Sequence, residues 1–294
     1  MKIRGVLPPM IVPFTNGGDV DFDGHIHNIN RWNEENLSGY LILGSNGETP
    51  YLSEQEKIKL VEVTVKHAGK GKTLLAGTGL ESARETIRFT NLVAGLGVQA
   101  ALVLTPHFYG PQMTDKALVG YFREVAERSK IPILIYNVPV YTHLMISLEA
   151  VRILSEHPNI IGMKDSSGDV PRLAAMKGFL PPDFNLLVGN IGAWYPALTL
   201  GVRGGILALA NFAGTQCSAV QELFDAQKYE EARALYLKLV ALNAVVASAH
   251  GIAGLKQAAT LVGYAGGAVR SPLLGLDEKA SVHIKEQLFK NGML

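Results

Sequence analysis

IPILIYN (131–137) and NIIGMKDSSG (159–168) are two short runs dominated by Ile, Leu and Val, separated by residues 138–158. Each has the length and composition of a buried strand, and the stretch between them is long enough for one helical crossover. Six further runs of the same kind occur: GVLPPMIVPF near the start, YLILGS at 40, TLLAGTG at 73, VQAALVLTP at 98, FNLLVGN at 184 and GGILALAN at 204. From the second run onward they recur every ~20 to 35 residues, the spacing of βαβ units. The intervening stretches have helical period. In LSEQEKIKLVEVTVKHAG, Ser53 and Glu56 form a capping-box pair and Ile58, Val61 and Val65 share a face. ESARETIRFTNLVAGLG carries Ile87, Leu92 and Leu96 and closes on Gly97.

Eight strand–helix units predict an α/β fold, a (β/α)8 barrel with a parallel sheet. The alternative is an open doubly wound sheet. Its dinucleotide fingerprint is poor here, because GTGLES (77–82) has serine where the third glycine belongs and lies on the third strand. After residue 222 the pattern changes to long helices, as in ELFDAQKYEEARALYLKLVALNAVVASAH. The expected organisation is a barrel over 1–222 and a C-terminal helical extension over 223–294.

The chain has 294 residues, 27 basic and 26 acidic, for a net charge of +1. No basic stretch is interleaved with aromatics, which argues against nucleic acid and anionic membrane surfaces as partners. Cys217 is the single cysteine. It leaves no intrachain disulfide or multi-cysteine metal site and fits a reducing compartment, so a cytoplasmic location is expected. The start, MKIRGVLPPMIVPF, is broken by Pro8, Pro9 and Pro13 and does not read as a signal peptide. No apolar run approaches the ~20 residues needed to span a bilayer, so a soluble protein is expected.

Barrel active sites form at the C-terminal ends of strands. The residues there are GSNGE (44–48), GTG (77–79), TPHFYG (105–110), YNVP (136–139), KDSSG (164–168), GN (189–190) and ALAN (208–211). Lys164 follows Ile160, Ile161 and Met163 without a flexible spacer, which would set its amine against apolar walls. Desolvation disfavours the ammonium form and yields an amine able to attack a carbonyl. The same lysine could instead pair with Asp165 or reach to solvent. Tyr136 ends the preceding strand, and strands lie ~4.8 Å apart, so both side chains can share one mouth. Its phenol could carry protons or simply fill the core.

GSNGE offers backbone N–H groups to a carboxylate, without the Gly-Lys-Ser/Thr of a Walker loop. His25 and His27, two apart on an expected helix, would not share a face for a metal. No acidic cluster has metal-ligand spacing. Lys256, in GIAGLKQA, reads as a surface or oligomer contact.

Taken together and in this order, GSNGE, TPHFYG, YNVP and KDSSG resemble the pyruvate-dependent Schiff-base aldolases, the family of dihydrodipicolinate synthase and N-acetylneuraminate lyase. The resemblance runs from GVLPPMIVPF to GIAGLKQA and RSPLLGL. It implies that Lys164 forms a Schiff base with a 2-keto acid, that Tyr136 is the general acid/base, and that Ser45 and Asn46 bind the pyruvyl carboxylate, the Ser45 hydroxyl relaying protons. It implies that Tyr109 enters a neighbouring subunit's site in a homotetramer, that Gly189 and Ile206 line the pyruvyl pocket, and that neither cofactor nor metal is required.

Two departures bear on the substrate. Tyr141 stands where dihydrodipicolinate synthases carry an arginine for the carboxylate of aspartate semialdehyde, and a phenol cannot replace that bidentate grip. Ile191 and Gly192 stand where sialic acid lyases carry an acidic pair. MKDSSGDV, HGIAGLK and GYAGG are more similar to 4-hydroxy-2-oxoglutarate aldolase, on which reading Ser166 touches the part of the substrate that leaves as an aldehyde. The expected reaction is cleavage of 4-hydroxy-2-oxoglutarate to pyruvate and glyoxylate. Alternatives are a 2-keto-3-deoxy sugar acid aldolase or dehydratase, a dihydrodipicolinate synthase-like condensation, and a ligand-binding protein on the same barrel, among which the fold does not choose.

Overall fold

A computed structural model describes residues 1–294. The strands are β1 Gly5–Leu7, β2 Gly39–Ile42, β3 Thr73–Gly77, β4 Ala100–Leu104, β5 Ile133–Asn137, β6 Ile160–Asp165, β7 Asn185–Val188 and β8 Gly204–Ile206. The α-helices are α1 Phe22–Glu34, α2 Glu54–His67, α3 Ala83–Gly95, α4 Asp115–Arg128, α5 Pro139–Thr142, α6 Leu148–Ser155, α7 Val170–Lys177, α8 Trp194–Thr199, α9 Gly214–Asp225, α10 Tyr229–Asn243, α11 Ala249–Leu261 and α12 Glu278–Lys290.

All eight expected runs contain a strand. Their order in the sheet is β1-β8-β7-β6-β5-β4-β3-β2. The first strand thus neighbours the last, as in a (β/α)8 barrel and unlike an open doubly wound sheet. β4 and β5 are buried almost throughout, which is why their sequences read as continuous apolar runs: helices cover the outer face and side chains fill the inner one. The predicted capping box opens α2, with Ser53 Oγ accepting from Glu56 N at 3.2 Å and Glu56 Oε2 accepting from Ser53 N at 2.8 Å.

Two compact units make up the chain: Met1–Arg4 with Thr73–Ile206, and Gly5–Lys72 with Leu207–Leu294. The first contains β3 to β8, all parallel, around a core that includes Leu75, Val103, Ile135, Met163 and Leu187. Asn185 ties its N-terminal residues down, accepting from Ile3 N at 2.8 Å and donating to Met1 O at 3.1 Å. The second unit packs Ile29, Trp32, Tyr40 and Leu60. Trp32 Nε1 donates to Asn211 O at 3.1 Å, and Asn211 Oδ1 accepts from Ile11 N at 2.9 Å.

One helical stretch bears on the expectation of no membrane segment without overturning it. Tyr229–Leu261 forms a 33-residue helical stretch that is long and apolar enough, by length and composition, to cross a bilayer. Lys238, Asn243, Ser248 and His250 interrupt the apolar residues, so no unbroken run marks it in the sequence. A π-helical turn at Ala244–Ser248 and a non-helical Gly251 (φ 57°, ψ −137°) interrupt its α-helical geometry.

Candidate active site

The parallel register of β4, β5 and β6 sets the centre of the first unit. Tyr136 pairs with Leu104 on one side and Lys164 on the other. Because paired residues on neighbouring parallel strands point the same way, the two side chains meet. The Lys164 amine lies 4.3 Å from the centroid of the Tyr136 ring. Both are buried, at 3% and 7% exposure.

The alternative partner for the lysine is already engaged. Asp165 Oδ2 accepts from Arg172 Nε at 3.1 Å and Asn137 Nδ2 at 3.0 Å, and Oδ1 accepts from Ser167 N at 2.9 Å and from the Ser167 hydroxyl. Arg172 Nη2 also donates to Ile146 O at 2.6 Å. This ion pair is buried on both sides, and both oxygens of its carboxylate accept further hydrogen bonds, which helps a buried pair to be tolerated. Its consequence is local. Asp165 is bound elsewhere, so Lys164 has an aromatic face beneath it and no carboxylate in ion-pair distance.

Ser166 follows, its N–H donating to Asn137 O at 2.9 Å. Its buried hydroxyl meets no hydrogen-bond partner, an orphan that invites a polar ligand. Gly189, at the end of β7, faces it. A Cβ there would lie 1.9 Å from Ser166 Oγ and 2.8 Å from Lys164 Cε, so only glycine leaves the space open. Ile206 closes β8 and is fully buried. Tyr141 lies on α5 and is half exposed; partial burial of its phenol, and then the nearby Tyr136, push its pKa up.

Tyr109 is exposed at 66%, with Phe108 edge-on at 5.0 Å, rather than buried with Lys164. Glu81 holds this loop, its Oε2 accepting from His107 N and Phe108 N at 3.0 Å each and its Oε1 lying 3.0 Å from His107 Nδ1. In the second unit, Ser45 and Asn46 begin a 3-10 turn, Ser45–Gly47, both half-buried. The Thr49 hydroxyl braces the turn by donating to Gly44 O at 2.9 Å. His25 is buried against Thr64, whereas His27 is exposed and bonds Gly263 O, so the two point apart.

Residues 2–290 match the dihydrodipicolinate synthetase family. The chain belongs to that family. It is accordingly an enzyme, a pyruvate-dependent lyase of the class I aldolase type. The chain is 30% identical over 286 residues to the 4-hydroxy-tetrahydrodipicolinate synthase of Macrococcus caseolyticus, covering 97% of this chain and 95% of that one. It is 30% identical over 294 residues to a DapA-like lyase of Halobacterium salinarum, covering 100% and 96%. Among solved structures, it resembles YagE of E. coli K12, a prophage protein of the dihydrodipicolinic acid synthase family in complex with pyruvate, at TM-score 0.93, 26% identity and 99% coverage of both chains.

Three residues of the described clusters escaped the sequence reading. Asn137 and Arg172 hold Asp165; the only local signal was an arginine seven residues beyond the acid, one helical turn into α7. Lys256, read as a surface or oligomer contact, is 1% exposed and lies 2.6 Å from the buried carboxylate of Glu48. It sits 208 positions along the chain from that partner, a distance over which spacing carries no information.

Proposed function

We propose that the enzyme cleaves 4-hydroxy-2-oxoglutarate to pyruvate and glyoxylate through a Schiff base on Lys164. The observation that carries this reading is a buried lysine with no carboxylate partner, in register with Tyr136. The Lys164 amine attacks the C2 keto carbon, and loss of water gives a protonated imine. The imine withdraws electrons from the C3–C4 bond as a base removes the C4 hydroxyl proton. That bond breaks, glyoxylate leaves, and its electrons form the pyruvyl enamine. Protonation at C3 and hydrolysis by water release pyruvate and restore the amine.

Following the family motif, Tyr136 would be the general acid/base, and Ser45 and Asn46 would bind the pyruvyl carboxylate through backbone N–H groups, Ser45 relaying protons. Gly189 and Ile206 would line the pyruvyl pocket. The orphaned Ser166 hydroxyl would meet the leaving aldehyde. The exposed Tyr109 would complete a neighbour's site in a cytoplasmic homotetramer, residues 223–294 forming a helical appendix to the barrel. No cofactor or metal enters this scheme.

A second reading is condensation of pyruvate with aspartate semialdehyde, favoured by the relatives that carry the name 4-hydroxy-tetrahydrodipicolinate synthase. Tyr141 weighs against it, since a half-exposed phenol offers no bidentate grip on the semialdehyde carboxylate. Turnover of 4-hydroxy-2-oxoglutarate, of pyruvate with aspartate semialdehyde, and of a six-carbon 2-keto-3-deoxy sugar acid should be compared on one preparation. Highest kcat/KM for the first is expected; highest for either of the others would replace the substrate assignment.

A further inference from the structure

Glu48, the last residue of GSNGE, adopts a left-handed backbone with φ 54° and ψ 34°. A glycine would hold that conformation without steric cost, whereas a residue with a Cβ is strained there. The glutamate side chain must therefore offset the strain, and its contacts show how. The carboxylate is fully buried. Oε2 accepts from Arg270 N at 2.8 Å. Oε1 lies 2.6 Å from Lys256 Nζ, a charge contact without the alignment of a hydrogen bond.

Lys256 is itself held on two further sides. Nζ donates to Ala268 O at 2.6 Å and lies 4.4 Å from the centroid of the Phe14 ring. Arg270 lies 4.3 Å from the centroid of the same ring and reaches Glu56, Gly18 O and Tyr51 O. Phe14 O accepts from Ala268 N at 2.9 Å, which joins the aromatic to the segment that receives the lysine. The turn at 44–48 is thus gripped from α11 and from the 268–270 segment, all within the second unit.

A buried ion pair contributes little net stability compared with apolar side chains of equal volume, so stability alone does not account for it. Gly47 N donates to Gly44 O at 3.0 Å and Glu48 N to Ser45 O at 3.1 Å, so the direction of the backbone at the start of the turn is set by how its last residue is held. We infer that Lys256 and Glu48 are a positioning pair that fixes the backbone of Ser45 and Asn46 for carboxylate binding. The functional half of this inference rests on the reading of Ser45 and Asn46 given above. Neither residue of the pair touches substrate.

Two measurements on Lys256→Met and Glu48→Gln test it. The first is amide hydrogen exchange of peptides covering 44–52, which is independent of any activity. The second is the pyruvate concentration that half-saturates borohydride trapping on Lys164. Faster exchange in the turn is expected, together with a roughly tenfold or greater rise in half-saturating pyruvate, while trapping at saturation still reaches Lys164. The double variant should be no worse than Lys256→Met alone, because the two act as a unit. Lys256→Arg should recover part of the loss.

Wild-type exchange and wild-type half-saturation in Glu48→Gln would overturn the inference, and that variant keeps the side-chain volume if Lys256→Met does not fold. Failure of the wild-type protein to trap pyruvate would sink the Schiff-base reading instead. The exchange data would then decide whether the pair holds the turn.

Discussion

Two buried lysines, one in each unit, share an aromatic floor and differ in their polar partners. Lys164 and Lys256 are 3% and 1% exposed, and each sets its amine over an aromatic ring, Tyr136 at 4.3 Å and Phe14 at 4.4 Å. Lys256 has Glu48 at 2.6 Å. Lys164 has none, because Asp165 is bound by Arg172, Asn137 and Ser167. Burial and an aromatic floor are therefore common to both, and the carboxylate decides the role. A partnered lysine is an anchor, whereas an unpartnered one is available to attack.

The strongest test of that contrast is to remove each amine in turn. Lys164→Ala is expected to abolish the borohydride-trapped pyruvyl adduct and to lower turnover by more than roughly 10⁴-fold, as loss of a covalent nucleophile does. Lys256→Met should leave the adduct on Lys164. Mass spectrometry of the reduced peptides reads both, and an adduct on Lys256 in wild type would reverse the assignment.

Tyr136→Phe keeps the ring beneath Lys164 and removes only the hydroxyl. Turnover should fall by about 10²- to 10⁴-fold, the range for a general acid/base, while saturating pyruvate still modifies Lys164. Unchanged turnover would make Tyr136 a floor like Phe14.

Arg172→Met would sharpen the comparison from the other side by freeing Asp165 one residue from the lysine. Breaking a buried pair costs about 3–5 kcal/mol, readable in denaturant unfolding. Trapping should slow as well, because the end of β6 that carries Lys164 loses the bonds from Arg172 to Asp165 and Ile146 O that brace it. Lost stability with undiminished trapping would show that Asp165 matters to the fold alone.

The smallest effect is a pH slope at Lys256. Burial, opposed by Glu48, pulls its pKa from the ordinary 10.5 down to about 8. Between those values the unfolded chain holds the proton and the folded one does not, so stability rises with pH across this window. About 3 kcal/mol is the upper scale of the gain. Burial raises the pKa of Cys217 and of Tyr40, Tyr121 and Tyr264, which lowers stability with pH in wild type and variant alike; the test is therefore the difference in unfolding free energy between wild type and Lys256→Met, which should grow in favour of wild type from pH 8 to pH 9.5.

Much of the fold was legible before any coordinates. Each of the eight strands lies inside a run rich in Ile, Leu and Val, since a parallel strand covered on both faces has no polar positions to blur it. The capping box at Ser53 and Glu56 is a local device and was readable for that reason. Lys164 and Tyr136 could be brought together on paper because parallel register relates the ends of consecutive strands, and the observed pairing joins those two residues.

What escaped the sequence were contacts that no local rule relates. The Asp165–Arg172–Asn137 cluster draws on β5, β6 and α7, and Glu48 meets Lys256 and Arg270 across more than 200 positions. The helices of Tyr229–Leu261 were read from the sequence, but their overall apolar character was not, because hydropathy read as unbroken runs misses a helix whose apolar residues are spaced by polar ones.

Short-range physics, meaning periodicity, capping and strand composition, was written in the order of residues and determined the barrel and the residues at its strand ends. Which charges are partnered depends on distances between residues remote in the chain. Only the folded structure decided that Asp165 would leave Lys164 unpaired and that Lys256 would be buried, because burial and ion pairing are properties of packing and not of sequence neighbours.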